Sequence, residues 1–178
     1  MESFCAYRSP LGEITLSADG DALTGLWFVG QKHYGYGLPS RTASGQAEML
    51  SGGAETPILK EACAWLDLYF QGVAPDFTPR LELRGTDFQK AVWDVLLSVP
   101  YGHTVAYGEI AAAVSERQGR RTSARAVGAA VGRNPVSLIV PCHRVIGAGG
   151  NLTGYAAGLD KKSRLLKLEG VDLSFSAS

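Results

Sequence analysis

The sequence of 178 residues lacks the features that mark several classes of protein. No apolar run approaches the roughly 20 residues that a membrane-spanning helix requires. The amino terminus shows no basic segment followed by an apolar one, as an export signal would, so we expect a cytoplasmic location and no membrane partner. Charged residues make up only 19% of the chain and hydrophobic residues 46%, which is typical of a folded globular protein rather than a disordered one.

Cysteine is scarce and widely spaced, with Cys5, Cys63 and Cys142 as its three occurrences. An odd number of distant cysteines argues against a disulfide framework, and the lack of CxxC or HxxxH pairs argues against zinc. We therefore expect no metal ion and no other cofactor. Cys63 lies in an apolar helical pattern and is interpreted as a core residue, which leaves Cys142 as the candidate for chemistry.

The net charge of zero conceals a difference between the two halves of the chain. Residues 1–85 contain six Lys and Arg against ten Asp and Glu, whereas residues 86–178 contain eleven against seven. The basic second half indicates that it binds a polyanion, although random variation over a short chain explains the difference equally well.

Residue patterns predict an α+β protein with a β-rich domain over residues 1–82 and a mainly helical domain over residues 83–172. In the first domain, short β-prone segments separated by SPLG and ADGD turns predict an antiparallel sheet, and Pro57 opens a helix. The strands are predicted at Ser3–Tyr7, Glu13–Ser17 and Ala22–Phe28. Residues 29–56, rich in Gly and Ser, are expected to form a long surface loop.

The second domain begins with a capping box at Thr86 and an apolar helical face. Two short helices follow, at Tyr107–Val114 and from about residue 122 to Val131, with a basic loop over residues 115–123. Their spacing is typical of a helix-turn-helix. Further elements are a strand-like apolar run at residues 136–140, a Gly-rich hairpin at residues 147–155, and a last helix capped by Asp160.

The second helix of the pair has small side chains and one projecting cation, Arg125. Small residues lower the profile of a helix and allow its backbone to approach another surface closely. The amino end of the helix, where Arg125 lies, also favours phosphate through the helix dipole. Close packing against another protein helix uses small residues in the same way, but nucleic acid is the favoured partner.

The segment from Pro141 to Val145 combines a nucleophile with a base. Cys142 lies in a Pro-bounded turn beside His143, and a thiol becomes a good nucleophile only when its thiolate is stabilised. His143 can act through a bridging water, with the imidazole oriented by a carboxylate, for which Glu169 is the candidate. On its own, a Cys-His dipeptide is more often structural than catalytic.

The string PCHRV, preceded by GRNPVSLIV and followed by IGAGGNLTGYAAGL, resembles the active-site signature of the O6-alkylguanine-DNA alkyltransferases, also called methylated-DNA–protein-cysteine methyltransferases. The stretch RGTDFQKAVWDVLLSVPYGHTVAYGEIA resembles the first helices of that family, and ARAVGAAVGRNP resembles its recognition helix. The likeness runs in order from about residue 84 to residue 170, and the SPLG turn fits the β-rich first domain of the family.

The resemblance implies an enzyme of direct-reversal DNA repair. It would transfer the alkyl group of O6-alkylguanine, and of O4-alkylthymine, irreversibly to Cys142 and so react once. His143 and Glu169 would form a relay, Tyr107 would stabilise the departing guanine, and Asn134 would brace the cysteine turn. The residues that would line the substrate pocket are Val131, Ser137, Val145, Thr153 and Tyr155.

The partner implied by the resemblance is double-stranded DNA, bound through its minor groove. Arg125 would fill the gap that the extruded nucleotide leaves. The other candidate contacts with DNA are Thr122, Ser123, Ala124, Ala126, Gly128 and Arg133. We expect a monomer in solution, with cooperative binding on DNA left open.

Four departures from the family pattern and two alternatives accompany this interpretation; one departure is the basic loop over residues 115–123, which is longer and more basic than is typical of the family. His103 stands where the family commonly has an acidic residue, and Ser137 stands where some relatives have proline. Of the zinc ligands of some relatives, only Cys5 is present.

One alternative is a non-catalytic helix-turn-helix protein that binds lesions or regulates, which the cysteine in PCHRV disfavours. The other is a cysteine hydrolase or thiol-redox protein, which explains neither the RAVG helix nor the charge difference.

Overall fold

The structure is a computed structural model that describes residues 2–38 and 56–173. Contacts divide the chain into two units: residues up to Arg84 together with Pro135–Ser137, and Gly85–Asn134 together with the residues from Leu138 onward. Of the loop expected at residues 29–56, positions 39–55 lie outside the described residues, and residues 29–38 consist mainly of turns. The border expected between residues 82 and 83 stays a prediction.

The first unit contains an antiparallel sheet in the order β1-β2-β3. Its strands are β1 (Glu2–Ser9), β2 (Gly12–Asp19) and β3 (Ala22–Phe28), which confirms the three predicted strands and extends the first two. Two-residue turns join them, and Gly20 in the second turn has a φ of 59°, a conformation that glycine adopts without strain.

Helix α1 (Pro57–Phe70) packs on this sheet. Thr56 caps its amino end by accepting a hydrogen bond from the amide of Leu59, and Pro57 occupies the first helical position, where no amide donor is needed. The side chains on its buried face are Ile58, Leu59, Ala62, Trp65, Leu66 and Tyr69. The helix therefore closes the core of the first unit on one face of the sheet.

The second unit is mainly helical. It contains the helices α2 (Asp87–Leu97), α3 (Tyr107–Gln118), α4 (Ala124–Gly132) and α5 (Leu159–Leu168). The capping box predicted at Thr86 is present, with reciprocal hydrogen bonds between Thr86 and Gln89 of 2.9 and 3.1 Å. Trp93 of α2 is buried and donates its indole N–H to the carbonyl of Ala130 at 2.9 Å, which ties α2 to α4.

A short parallel pair of strands connects the two parts of the second unit that carry the candidate chemistry. Strand β4 (Val105–Ala106) pairs with β5 (Val145–Ile146), so that Val105 lies opposite Val145. Tyr107 follows β4 directly, and Arg144 precedes β5 directly. The pairing therefore brings the start of α3 to the turn that contains Cys142.

Several local predictions are wrong in detail. Helix α3 continues to Gln118 and ends at Gly119, which has a φ of 65°, so the basic connection begins at residue 119 rather than 115. Residues 136–140 are not a continuous strand, because the chain turns at Leu138, whose φ is 71°. Asp160 is not a cap: α5 begins at Leu159, and its first hydrogen bond runs from the amide of Lys162 to the carbonyl of Gly158.

The Gly-rich hairpin predicted over residues 147–155 is also absent. The chain instead forms a 3₁₀ turn at Ala148–Gly150, closed by a hydrogen bond of 2.8 Å from the amide of Gly147 to the carbonyl of Asn151. Gly149 and Gly150 have φ angles of 71° and 83°, which curl the chain and prevent the two arms from pairing as strands.

The α+β class with a β-rich first part and a helical second part is confirmed. None of the helices within residues 2–38 and 56–173 combines the length and the apolarity that crossing a bilayer requires.

Candidate active site

The turn that carries Cys142 is held by two hydrogen bonds to one carbonyl. Cys142 begins a 3₁₀ turn, Cys142–Arg144, and its amide donates to the carbonyl of Val140 at 2.8 Å. The side-chain amide of Asn134, itself buried, donates to the same carbonyl at 2.7 Å. Because a buried polar group is costly to leave unsatisfied, these bonds fix the backbone just before the sulfur. Cys142 is 5% exposed.

The residue after the cysteine, His143, is fully buried and faces the carboxylate of Glu169, which ends α5. The Nε2 atom of His143 hydrogen bonds to Oε2 of Glu169. The other carboxylate oxygen, Oε1, accepts from Nε of Arg144 at 2.7 Å and from the amide of Gly102 at 3.0 Å. Donors therefore cover both oxygens, and Arg144 supplies the compensating charge.

These contacts set the protonation states of the pair. Burial alone would raise the pKa of Glu169, but the hydrogen bonds from His143 and Arg144 lower it to about 2. Burial lowers the pKa of His143, against the attraction of Glu169. A neutral imidazole then donates its Nε2 proton to the ionised carboxylate, so the lone pair of Nδ1 is the basic site of the ring.

Arg144 is part of PCHRV but was not among the residues predicted to function. Its side chain is almost fully buried, lies over the ring of Tyr101, and donates from a terminal nitrogen to the carbonyl of Val99 at 2.8 Å. An arginine in an unknown sequence is normally placed at the surface, because arginine is almost never fully buried unless it is paired. The partner that buries it, Glu169, is distant in the sequence.

Lys162 is a second buried cation that sequence analysis missed. It is fully buried, and its ammonium group donates to the carbonyls of Thr153 at 2.9 Å and Gly154 at 3.1 Å. Burial lowers its pKa to about 8, against the attraction of the nearby Cys142. Lys162 lies on the same helical face as Leu165, Leu166 and Glu169, because the spacing between them is three or four residues. The sequence therefore already indicated that Lys162 faces the interior.

Two tyrosines lie close enough to Cys142 to be affected by its charge. Tyr107, at the start of α3, donates its hydroxyl to the carbonyl of Thr153 at 3.2 Å. Burial and the neighbouring cysteine raise the pKa of Tyr107, and the same causes raise the pKa of Tyr155. The Tyr155 hydroxyl is buried without a hydrogen-bond partner among the described residues. Both hydroxyls therefore retain their protons at neutral pH.

An open cleft of about 610 Å³ adjoins Tyr107 and Thr153, with α4 as one wall. Its volume lies within the range of small-molecule sites. Gly128 lies against Tyr107 in this wall, since a Cβ at position 128 would make an ordinary van der Waals contact of 3.7 Å with the Tyr107 ring. The sequence-predicted residues that line the cleft are Tyr107, Ala124, Arg125, Gly128 and Thr153.

The remaining candidates for DNA contact lie at the ends of α4. The Ser123 hydroxyl caps the helix by accepting from the amide of Ala126 at 3.1 Å, and the amide of Thr122 donates to Oγ of Ser115 at 3.0 Å. Arg133 donates to the carbonyl of Ala129 at 3.2 Å. The bonds of Ser123 and Thr122 hold the amino end of α4 in place, and Arg125 in the first turn is exposed.

Four of the five sequence-predicted pocket residues, Val131, Ser137, Val145 and Tyr155, do not line the cleft, and Thr153 does. Val145 is fully buried in β5, and Val131 is buried on α4. Ser137 is buried in the first unit, where its amide donates to the carbonyl of Leu26 at 2.9 Å. The structure therefore brings together Cys142, His143 and Glu169 with Tyr107 and Tyr155, whereas Val131, Ser137 and Val145 are buried in the packing of their own units.

Comparison with known proteins assigns both units to one family. Residues 87–171 match the family model for the DNA-binding domain of 6-O-methylguanine DNA methyltransferase. Residues 5–83 match the model for its ribonuclease-like domain.

Curated proteins from distant organisms give the same result. A methylated-DNA–protein-cysteine methyltransferase of Mycobacterium bovis is 45% identical over 162 residues, which cover 90% of this chain and 88% of that protein. One from Methanosarcina acetivorans is 42% identical over 168 residues, with coverage of 94% and 97%.

Solved structures agree with the sequence comparisons. The crystal structure of the O6-methylguanine methyltransferase of Mycobacterium tuberculosis has a TM-score of 0.76 at 40% identity and covers 95% of this chain and 93% of its own. The M. tuberculosis protein in complex with DNA has a TM-score of 0.75 at 41% identity, with coverage of 94% and 92%. Together with the two domain matches, these likenesses show that the chain belongs to the 6-O-methylguanine DNA methyltransferase family.

Proposed function

We propose that this chain repairs alkylated DNA by transferring the alkyl group from O6 of guanine to the sulfur of Cys142. The observation that carries the proposal is the set of groups near that sulfur: buried His143, which is hydrogen bonded to Glu169, follows Cys142 directly, and Tyr107, which borders an open cleft, lies close enough for Cys142 to raise its pKa. In the reaction the carbon–O6 bond breaks as the carbon–sulfur bond forms. The thiol gives up its proton, and the departing guanine gains one.

Activation of the thiol is the first part of this mechanism. The basic nitrogen of neutral His143 takes the thiol proton through a bridging water, and ionised Glu169 stabilises the imidazolium that forms. Arg144 keeps Glu169 ionised throughout, because it neutralises the carboxylate inside the protein. The buried ammonium group of Lys162 further favours negative charge at Cys142.

Stabilisation of the leaving group is the second part. As the carbon–O6 bond breaks, negative charge develops on the guanine ring. The raised pKa of Tyr107 keeps its hydroxyl protonated, so that it can donate a hydrogen bond or a proton to a ring nitrogen. In the structure this hydroxyl donates to the carbonyl of Thr153, and a bound guanine would compete for the same proton.

The proposed substrate is double-stranded DNA, approached through the minor groove by α4. A guanine within the stack cannot present its O6 substituent to a residue as buried as Cys142, which is 5% exposed, so the nucleotide must leave the helix at a cost of a few kcal/mol. Arg125 is exposed at the cleft and would fill the gap, as wedge residues of minor-groove proteins do. The DNA complex of the M. tuberculosis relative supports DNA as the partner.

The chemistry of the product determines the number of turnovers. A thioether has no hydrolysable bond, unlike a thioester, so the alkylated protein does not regain its thiol and each chain reacts once. O4-alkylthymine as a second substrate, a monomeric state in solution, cooperative binding on DNA and a cytoplasmic location stay predictions.

Intact-protein mass spectrometry and gel mobility, measured on one mixture with O6-methylguanine duplex, distinguish this function from its alternatives. The proposal predicts a chain that gains the mass of one methyl group in place of one hydrogen, and Cys142→Ala should abolish the gain. A lesion-binding regulator would shift the duplex and keep its mass. A hydrolase would process many substrates and also remain unmodified. Either of these last two results would overturn the proposal.

A further inference from the structure

The fold brings together two cysteines that are far apart in the sequence and unrelated to the cleft. Cys5 lies on β1 and Cys63 on α1, both in the first unit. Tyr7 lies two residues after Cys5 on β1, and its hydroxyl donates a hydrogen bond of 2.7 Å to Oδ1 of Asp67. Asp67 lies one helical turn after Cys63 on α1. Side chains two residues apart on a strand share a face, and so do side chains four residues apart on a helix. Cys5 therefore shares a face with Tyr7, and Cys63 shares a face with Asp67, so the two cysteines lie in the same interface between β1 and α1 as the Tyr7–Asp67 hydrogen bond. The two thiols lie close enough for each to change the pKa of the other.

The two sulfurs differ in exposure and in acidity. Cys5 is fully buried, whereas Cys63 is only half-buried and can be reached from solvent. The interaction with Cys5 lowers the pKa of Cys63, against the effects of burial and of Asp67. The same interaction, together with burial, raises the pKa of Cys5. Cys63 is therefore the better nucleophile, and Cys5 is a protonated thiol beside it.

We propose that Cys5 and Cys63 form a reversible intramolecular disulfide when the chain meets hydrogen peroxide. The Cys63 thiolate attacks one oxygen of hydrogen peroxide. As the sulfur–oxygen bond forms, the oxygen–oxygen bond breaks, so that Cys63 becomes a sulfenic acid and the second oxygen leaves as hydroxide. The sulfur of Cys5 then attacks the sulfenic sulfur, and the sulfenic oxygen leaves as water once the Cys5 proton is transferred. In total, two thiols and one hydrogen peroxide give one disulfide and two water molecules, with the two electrons of the thiols passing to peroxide.

The arrangement of a half-buried attacking sulfur and a fully buried resolving thiol has a specific chemical consequence. A sulfenic acid left alone is oxidised irreversibly to sulfinic and sulfonic acids, whereas condensation with a neighbouring thiol stops the sequence at a disulfide that reductants reverse. The site is separate from the proposed alkyl transfer, since Cys142 belongs to the second unit. The disulfide would join the first strand covalently to the helix that covers the sheet.

Peptide mapping of the unaltered full chain tests the pairing directly. Trypsin places the three cysteines in different peptides, residues 1–8, 61–80 and 134–144. After treatment with hydrogen peroxide and blocking of free thiols, we expect a cross-linked peptide that joins residues 1–8 to residues 61–80. A reductant should convert it back to the two single peptides. A cross-link that involves residues 134–144, or oxidation of Cys63 without any cross-link, would overturn the proposal.

Two serine variants test the order of the steps. In Cys5→Ser, the sulfenic acid at Cys63 has no resolving thiol, so dimedone should label residues 61–80 much more strongly than in the wild-type chain. In Cys63→Ser, Cys5 should remain a thiol under the same treatment, because it is buried and unactivated. Equal dimedone labelling of Cys63 in wild-type and Cys5→Ser protein, or rapid oxidation of Cys5 in Cys63→Ser, would contradict the proposed order.

Discussion

Arg144 and Glu169 form a buried ion pair in which Nε of the guanidinium lies 2.7 Å from Oε1 of the carboxylate. The arginine side chain is 8% exposed and the glutamate side chain is not exposed at all. Charges removed from water stabilise a protein only when their other hydrogen-bonding groups are satisfied. Here the carbonyl of Val99 and the amide of Gly102 complete the set. The pair thus holds His143 against an ionised carboxylate beside the reactive cysteine.

The first prediction concerns removal of this cation. In Arg144→Met, Glu169 would lose its compensating charge inside the protein, and we expect a loss of about 3–5 kcal/mol in the free energy of unfolding. Urea denaturation at neutral pH measures the loss. Arg164→Met is the matched control, because Arg164 is 56% exposed and pairs with Asp160 only at 3.9 Å, so its loss should stay below about 1 kcal/mol. Equal losses in the two variants would show that Arg144 has no special role in stability.

The second prediction concerns stability in acid. The pKa of Glu169 is lowered in the folded chain from 4.5 to about 2. A carboxylate whose folded pKa lies below its unfolded pKa stabilises the fold above the unfolded value, and this stabilisation is lost as the pH falls toward the folded value. The stabilisation lost as the pH falls from the unfolded pKa to the folded pKa of Glu169 is about 3 kcal/mol. The lowered pKa of His143 acts in the same direction below its ordinary value of 6.5.

Urea unfolding at a series of pH values between neutrality and pH 2 measures this dependence. The wild-type chain should lose stability steeply below pH 4.5, whereas Glu169→Gln, which cannot ionise, should show a flatter profile. Two profiles of the same slope would mean that the folded environment of Glu169 does not favour its charged form.

The third prediction isolates the Tyr107 hydroxyl. Tyr107→Phe keeps the ring that lies beside Gly128 but removes the donor to the leaving guanine. We expect the rate of methyl transfer to fall by roughly a hundredfold, as for loss of a general acid, with little change in the affinity for DNA. Single-turnover kinetics and a binding titration separate the two. Tyr7→Phe in the first unit is the control, and a Tyr107→Phe rate as high as that control would exclude the donor role.

The fourth prediction tests extrusion of the damaged nucleotide. Arg125→Ala should slow reaction with duplex DNA by roughly ten- to a hundredfold, because it removes the group that fills the gap at a cost of a few kcal/mol. Reaction with free O6-methylguanine base should change little, since no stack has to be opened. Lys167→Ala removes an exposed cation from α5 and controls for general loss of charge. Equal losses on duplex and free base would remove the extrusion role of Arg125.

Local sequence patterns were sufficient for most of the secondary structure. The three strands, the capping box at Thr86 and the helix that begins at Pro57 depend on neighbouring residues, so turn motifs, capping residues and periodicity are sufficient to locate them. The errors arose where tertiary contacts and glycine conformation override local preference. Leu138 turns a run that reads as a strand, and the glycines at 149 and 150 curl a segment that reads as a hairpin.

The candidate site shows the same limit more strongly. The PCHRV signature singles out Cys142 and His143, but no local pattern shows that Arg144 is buried against Glu169, which is distant in the sequence. A charged side chain is buried only when the fold supplies its partner, and that partner is not visible from neighbouring residues. The fold likewise places Cys5 and Cys63, which are far apart in the sequence, in one unit as free cysteines.

The most direct test of the account is a titration of the chain with duplex DNA that contains O6-methylguanine, followed by quantification of the tryptic peptide over residues 134–144. Methylation of Cys142 should rise in proportion to added lesion and stop at one methyl group per chain, with the peptides over residues 1–8 and 61–80 unchanged. Methyl groups on another residue, no transfer at all, or repair that continues beyond one lesion per chain would contradict the account.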